Sequence, residues 1–162
     1  MVVRDAELEE LDQLATLWFN GWTDAHARIV PMELTRVRTL ENFRDRLAKM
    51  LTDVHVIGPL QEPAGFYALK DDELYQLFVA SDSRGTGVAQ ALIADAEARL
   101  AASGVATAWL ACAIGNDRAA RFYEKCGWRR TGIVVNPAET SSGTFLLEVW
   151  RYEKALTGDR SS

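Results

Sequence analysis

Hydrophobic residues occur along this chain in two patterns, one typical of helices and one typical of strands. Apolar residues three or four positions apart predict a first helix from Leu11 to Trp22 and a second over residues 32–51, with a loop at 23–30 between them. Shorter apolar runs predict strands, at residues 2–4, 54–57, 65–69 and from 74 onward. Asp71 and Asp72 predict a tight hairpin between the last two of these strands, so this part of the chain is an antiparallel meander.

The second half of the chain continues the alternation of helix and strand. Further helices are predicted from Ala89 to near residues 103–104 and at 116–126, and further strands at 106–111, 128–135 and 145–153, with a polar loop at 136–143. Because a helix connects the strand that begins at Leu74 to the next strand, these two are expected to run parallel. We therefore expect one α/β domain over residues 1–156, with a mixed, mostly antiparallel sheet and four helices. Residues 157–162 are expected to be a C-terminal tail.

Composition narrows the class of protein without naming an activity. A chain of 162 residues with 48% hydrophobic and 25% charged residues is typical of one globular domain. A net charge of −5 argues against nucleic acid as a partner, although an acidic surface would steer a cationic amine toward the protein. No apolar run approaches the length of a membrane span, and the acidic N-terminus is unlike a signal peptide, so we expect a cytoplasmic protein. Cys112 and Cys126 have no metal-ligand spacing, so neither a metal site nor a disulfide is expected.

The most informative segment is the glycine-rich turn between the Leu74 strand and the helix that follows it. Gly85 and Gly87 allow the backbone to approach a ligand, and the first turn of the helix presents unpaired N–H groups to an anion, so the turn is a candidate phosphate site. No Lys follows these glycines, which argues against a nucleotide triphosphatase, and Gln90 stands where a dinucleotide fingerprint needs a third glycine. A helix that merely begins after a glycine turn is the alternative.

Two motifs and the order of elements carry a resemblance to a known family. Residues 84–89, RGTGVA, fit the pattern Q/R-x-x-G-x-G/A, and residues 116–128, NDRAARFYEKCGW, resemble N-x-x-A-x-x-F-Y-x-x-x-G-F. With the element order from end to end, the chain resembles the GNAT family of N-acetyltransferases. The resemblance implies a sheet splayed at its central parallel pair, where acetyl-CoA enters as acyl donor without a metal.

The resemblance also implies a set of cofactor-binding residues. They are the backbone of Leu77, Phe78 and Val79 along the pantetheine arm, the pyrophosphate turn Arg84, Gly85, Thr86, Gly87, Val88 and Ala89, and Asn116 and Phe122 on the last helix. Two of these have an equally good local explanation. Arg84 is either a phosphate contact or an exposed loop residue, and Asn116 is either a pantetheine ligand or a plain helix N-cap.

Acetyl transfer from a thioester needs an amine that loses a proton, a donor for the oxyanion and a proton for the thiolate. By the resemblance, Tyr123 is the acid and the Val79 N–H is the oxyanion donor, while Glu73 is the best candidate for the base. Tyr123 is otherwise a core tyrosine with its hydroxyl at the rim. Glu73 is otherwise a polar residue after a turn, with a water chain serving as the base.

The acceptor is the least constrained part of the prediction. Trp18, Trp22 and His26 are candidates for an aromatic wall around it, although two tryptophans at helical spacing are also typical of a core. The loops at 23–30 and 136–143 are expected to recognise the acceptor. The resulting hypothesis is an N-acetyltransferase that transfers acetyl to a primary amine by direct attack, with a homodimer through the terminal strands as an option. A non-catalytic acyl-CoA-binding or sensing domain is the alternative.

Overall fold

The computed structural model of the chain describes residues 1–140 and 142–156, so the predicted tail at 157–162 lies outside the described residues. Five helices lie in this part of the chain: α1 (Leu11–His26), α2 (Met32–Val37), α3 (Leu40–Lys49), α4 (Val88–Ala102) and α5 (Asp117–Lys125). Seven strands form one sheet: β1 (Arg4–Asp5), β2 (Val54–Ile57), β3 (Gly65–Lys70), β4 (Glu73–Val79), β5 (Thr107–Ala113), β6 (Arg129–Thr140) and β7 (Gly143–Ala155). None of the helices described is long and apolar enough to cross a bilayer.

The sheet has the order β1-β2-β3-β4-β5-β7-β6. The predicted parallel pair, β4 with β5, is confirmed, and the other neighbours are antiparallel. Successive residues of a strand point to opposite faces, and β3 shows where each face packs: Tyr67 joins the core beneath α4 and α5, while Phe66 and Ala68 join the core beneath α1 and α3. The sheet therefore separates two hydrophobic cores.

A bulge in β4 lies where the sheet opens. The partners of β4 on β3 change from Ala68 with Gln76 to Leu69 with Leu74, which leaves Tyr75 as an extra residue on β4. A bulge bends its strand and increases the local twist. Next to it, β4 and β5 pair only between Glu73 and Trp109, so the two strands separate toward their C-terminal ends.

The helices differ from the prediction in two places. The first helix continues four residues into the expected loop, to His26, since residues 23–26 include neither glycine nor proline. The second helix is divided in two between Arg38 and Thr39, because the Thr39 side chain accepts a hydrogen bond from the Asn42 N–H (3.1 Å) and caps a new helix. The described chain thus has five helices rather than four.

The predicted polar loop at 136–143 is instead part of a long hairpin. β6 and β7 remain paired from Arg129 with Glu153 out to Thr140 with Gly143. The far end of this hairpin, which we call the arm, packs on the core beneath α1 and α3. The arm residues in that contact are Ala138, Phe145 and Leu147. A proline lies within β6, which β-sheets tolerate at an edge strand such as this one.

Candidate functional site

The glycine turn before α4 has the geometry of an anion site. Gly85 and Gly87 have φ values of 77° and 92°, in the left-handed region that side chains resist. No side chain caps α4, and the first N–H to bond within the helix is that of Ala91, to the Gly87 carbonyl (3.0 Å). The N–H groups of residues 88–90 therefore have no acceptor within the described residues. Such a helix start attracts negative charge.

A cleft of about 280 Å³ leads from this turn into the opening between β4 and β5. It lies between the end of α1, the second half of β4, the turn, and one face of α5. Its lining includes the predicted acid, Tyr123, and most of the predicted cofactor residues, namely Leu77, Phe78, Val79, Arg84, Gly85, Gly87, Ala89, Asn116 and Phe122. Thr86 and Val88 are absent from the lining, because Thr86 donates its hydroxyl to the Ser83 carbonyl and Val88 packs its side chain into the core.

Asp24 links two arginines at the mouth of the cleft, a feature that sequence reasoning missed. Its Oδ2 accepts from Arg84 (3.0 Å) and from Arg118 (3.2 Å), and these two cations lower the pKa of the carboxyl, Arg84 first. The contact joins α1, the glycine turn and α5. It depends on residues 60 and 94 positions apart, so no local signal in the sequence indicates it.

Gly21 is a second residue of the cleft that was not predicted from the sequence. A Cβ at this position would stand 2.6 Å from the Phe78 ring, so the glycine allows α1 to approach β4 closely at the cleft. A glycine in the middle of an amphipathic helix was the signal available, because it lowers helix stability and usually has a packing reason.

Tyr123 lies on α5 with its half-buried ring in the wall of the cleft. Its ring centroid is 5.6 Å from that of Phe122 and 6.5 Å from that of Trp128. Burial raises the pKa of the phenol above its usual value of 10.0. No described residue forms a hydrogen bond with the hydroxyl, which is therefore a neutral donor without an internal partner at neutral pH.

Two further predicted groups have geometry suited to ligand contact. The Asn116 side chain accepts a long hydrogen bond from the Ala119 N–H (3.4 Å), so it caps α5 with its oxygen and keeps its NH₂ group for another partner. Just beyond the end of β4, the Ala80 N–H donates to the carbonyl of Ala64, the residue before β3 (2.8 Å). Because neighbouring residues of a strand direct their N–H groups to opposite edges, the Val79 N–H points to the edge from which β5 has separated.

Glu73 does not line the cleft. It begins β4 beside Trp109, four residues or about 13 Å along the strand from Leu77. The residue is only 8% exposed, and burial raises the pKa of its carboxyl to about 7, with smaller opposing effects from Lys70 and Arg151. By strand alternation it faces the same side of the sheet as Tyr75, beneath α1 and α3.

The predicted aromatic wall is mostly core. Trp18 has no exposed surface and packs against Phe43 and Phe66, with ring centroids 4.7 and 5.9 Å away, so it cannot touch an acceptor in this structure. Trp22 is 9% exposed, and its ring is tilted against that of His26, with the ring centroids 5.5 Å apart. His26 is half-buried, and burial lowers its pKa to about 4, which makes it a neutral ring near the cleft rather than a cation.

A larger and more open groove of about 770 Å³ lies along the other side of α1. It is lined by a polar stripe of that helix, which includes Asp12, Thr16 and Asn20, and it adjoins the cleft at Arg84. Its walls are acidic and solvated, whereas the cleft has the glycine turn and the tyrosine. The cleft is therefore the candidate site, although it is the smaller of the two.

The cysteines take no part in the cleft. Cys112 is buried, and burial raises the pKa of its thiol to about 12, so it is not a thiolate at neutral pH. Cys126 is a second free cysteine. Residues 1–140 and 142–156 contain no group of three or more His, Cys, Asp or Glu side chains placed to hold a metal ion.

Comparison with known proteins gives one family and many related structures. The acetyltransferase (GNAT) family matches residues 20–128, which include the glycine turn and α5. A comparison with curated proteins finds no significant match.

Three solved structures illustrate the likeness in fold. A GCN5-related N-acetyltransferase from Rhodopseudomonas palustris is 21% identical, with 96% of this chain and 95% of that chain covered and a TM-score of 0.74. The PaiA N-acetyltransferase of Thermoplasma acidophilum, solved in complex with coenzyme A, is 17% identical, with 95% and 98% covered and a TM-score of 0.65. A spermidine N-acetyltransferase mutant from Vibrio cholerae is 19% identical, with 99% and 98% covered and a TM-score of 0.66. At these identities the likeness establishes the fold.

Proposed function

This chain belongs to the acetyltransferase (GNAT) family, and from that premise we propose that it is an N-acetyltransferase that transfers the acetyl group of acetyl-CoA to a primary amine. The observation that carries the proposal is the continuous cleft from the glycine turn to Tyr123 through the opening between β4 and β5. One end of this path suits an anion, and the other holds a proton donor. A relative of the same fold was solved with coenzyme A, which supports the choice of donor.

In the proposed complex, the pyrophosphate of acetyl-CoA lies against the N–H groups at the start of α4. The backbone there needs no reorganisation, since the N–H groups of residues 88–90 have no acceptor within the described residues. Arg84 and Arg118 lie at the mouth and add charge-assisted hydrogen bonds when they exchange Asp24 for phosphate. The pantetheine arm then runs along Leu77 to Val79, and in the proposed complex the Asn116 amide donates to it.

The proposed chemistry is direct attack without an acyl-enzyme. The amine nitrogen forms a bond to the thioester carbon, and the oxygen that becomes negative accepts from the Val79 N–H. The carbon–sulfur bond then breaks, and the thiolate takes the proton of the Tyr123 hydroxyl. The raised pKa keeps the phenol protonated at neutral pH, so Tyr123 enters the reaction with its proton, and the phenolate left after the transfer takes a proton back from solvent water.

The proton that the amine loses is assigned to Glu73. A carboxyl with a pKa of about 7 is half ionised near neutral pH, which suits a general base. Since Glu73 lies about 13 Å along β4 from Leu77, we propose that the proton reaches it through water. Glu73 is thus a proton acceptor at the floor of the acceptor side rather than a group in contact with the thioester.

A homodimer and a cytoplasmic location remain predictions. β6 is an edge strand of the described sheet, and Ile133 and Val135 on it are each 59% exposed, which supports an association of two copies through this strand. The molar mass measured by light scattering as the protein elutes from a size-exclusion column distinguishes a monomer from a dimer.

The decisive experiment measures thiol release from acetyl-CoA with a panel of primary amines and identifies the acetylated product by its mass. The proposal expects release that depends on the amine, and a product heavier by one acetyl group. The alternative, a non-catalytic acyl-CoA-binding domain, expects acetyl-CoA to bind with no amine-dependent release from any member of the panel. That result would overturn the enzymatic proposal.

A further inference from the structure

Arg38 is a buried cation without an acidic partner. It ends α2, is only 5% exposed, and donates through one nitrogen, Nη1, to the Asn42 side-chain oxygen (3.1 Å) and to the Glu139 carbonyl of the arm (2.9 Å). Its other nitrogens form no hydrogen bond with the described residues. Burial lowers the pKa of this guanidinium to about 10, so it remains charged at neutral pH. Burial of such a cation is costly unless an anion accompanies it.

Arg46 is a second cation on the same side of the sheet. The central carbon of its guanidinium lies over the Trp18 ring, 4.4 Å from the centroid, and one nitrogen donates to the Tyr75 hydroxyl (3.0 Å). The other nitrogens of this guanidinium form no hydrogen bond with the described residues, and a guanidinium beside an aromatic ring keeps its N–H groups available for an anion. The two cations are close enough that the charge of Arg46 contributes to lowering the pKa of Arg38.

No acidic side chain of the described residues is bound to Arg38 or Arg46. Within residues 1–140 and 142–156, neither arginine forms an ion pair, whereas their neighbour Arg44 has one with Asp12 (2.5 Å). Glu139 contributes its carbonyl to Arg38, while its carboxylate accepts from Thr144 (2.9 Å). Two neighbouring cations therefore have only neutral hydrogen-bond partners within the described residues, in a protein whose net charge is −5.

The pair lies on the face of the sheet beneath α1 and α3, which is the side of the opening between β4 and β5 that we assign to the acceptor. Tyr75 is the bulged residue of β4, and it packs with Phe78 on the core beneath α1 and α3, while Phe78 also lines the cleft. From Tyr75 to Phe78 is about 10 Å along the strand. The arm and the break between α2 and α3 enclose the pair from the other side.

We propose that Arg38 and Arg46 bind an anionic group of the acceptor, so that the acceptor is a primary amine that also carries a carboxylate or a phosphate. The proposal rests on the proposed function, since it describes the acceptor half of the same site. A guanidinium recognises either anion through paired N–H groups. An amine at the thioester and an anion at the two arginines orient the acceptor from both ends, and a polyamine places a second cation where two already lie.

A purely structural role for Arg38, which ties α2 to the arm, makes a different prediction. That role needs only a neutral donor to the Glu139 carbonyl, so Arg38→Gln preserves it and removes the charge. Arg38→Lys keeps the positive charge and loses the paired N–H groups of the guanidinium. Arg36 provides the matched control, because it is an exposed arginine of the same helix.

The first test measures binding, so that it does not depend on turnover. In the presence of CoA, N-acetyl-4-aminobutyrate and its amide are titrated calorimetrically, together with the homologues one methylene shorter and longer and N-acetyl-3-aminopropyl phosphate. We expect the carboxylate or the phosphate to bind at least about tenfold more tightly than the amide. Arg38→Gln and Arg46→Gln should abolish that difference, Arg38→Lys should retain part of it, and Arg36→Gln should leave it unchanged. Equal binding of anion and amide, or no binding of any anion, overturns the inference.

The second test compares turnover of 4-aminobutyrate, 4-aminobutanamide and 1,4-diaminobutane, which differ only in the charge of the far end. The inference is supported if the parent protein turns over 4-aminobutyrate faster than the other two amines and Arg38→Gln removes that preference. Efficient use of the diamine with neglect of the anion overturns it and leaves the N-acetyltransferase intact. Tight binding of the anionic product without turnover of any amine overturns the enzyme and leaves the anion site.

Discussion

Replacement of Glu73 by glutamine should stabilise the protein at alkaline pH. The carboxyl has a pKa of about 7 in the folded chain because it is buried, against a usual value of 4.5. The folded protein therefore holds a proton that the unfolded chain releases, and the stability this contributes is complete below pH 4.5 and is lost as the pH rises through 7. A shift of this size corresponds to at most about 3 kcal/mol, or about 6–12 °C in melting temperature for a domain of this length.

The assay is thermal unfolding of both proteins from pH 4.5 to 9. Glu73→Gln should melt close to the parent at pH 4.5 and at a progressively higher temperature between about pH 5 and 7, where the unfolded chain has released the proton that the folded parent still holds, until the difference levels near pH 8. Glu148→Gln, which changes an exposed carboxylate on β7, should follow the parent throughout. In turnover, Glu73→Gln should lose the rise of kcat/KM near pH 7. A constant difference in melting temperature across this range refutes the assignment of a buried, proton-binding carboxyl.

Three further predictions concern the cleft. Tyr123→Phe should lower kcat by a factor of about 10²–10⁴ while the affinity for acetyl-CoA stays the same. A loss of acetyl-CoA affinity as large as the loss of kcat contradicts the role of Tyr123 as the acid. Gly87→Ala should weaken acetyl-CoA binding as well as lower stability, because a φ of 92° is strained for alanine and this residue sets the start of α4. Gly104→Ala is the control: its φ is 94° at the other end of that helix, so it should lower stability by a similar amount without changing the affinity for acetyl-CoA. Asp24→Asn should tighten acetyl-CoA binding at low salt by freeing Arg84, and the gain should shrink as salt is added; unchanged binding at low salt excludes competition by this carboxylate.

Local signals account for the parts of the fold that sequence reasoning predicted correctly. The glycine turn, the apolar stripe of α4 and the connection through it to β5 are all set within about 30 residues, and the parallel pair follows from that connection. Asn116 was recognised as a helix start because its side chain caps α5 over three residues.

The rest depends on contacts between distant residues. The apolar spacing continues across the break between α2 and α3, and Leu40, which the pattern assigns to the buried stripe, is 46% exposed. The arm was mistaken for a loop because its polar residues and proline form a strand only when β7 pairs with them. The two arginines bound by Asp24 lie 60 and 94 residues away, and the Glu139 carbonyl bound by Arg38 lies 101 residues away, beyond any local pattern.

The most direct test of the account is thermal unfolding with saturating acetyl-CoA, with NAD and ATP as comparators. Acetyl-CoA at 100 times its dissociation constant should stabilise the protein by about 2.7 kcal/mol, which raises the melting temperature by roughly 5–10 °C. The account predicts this shift for acetyl-CoA and little for the other two. No shift with acetyl-CoA, or a larger one with NAD or ATP, would contradict an acetyl-CoA site between β4 and β5.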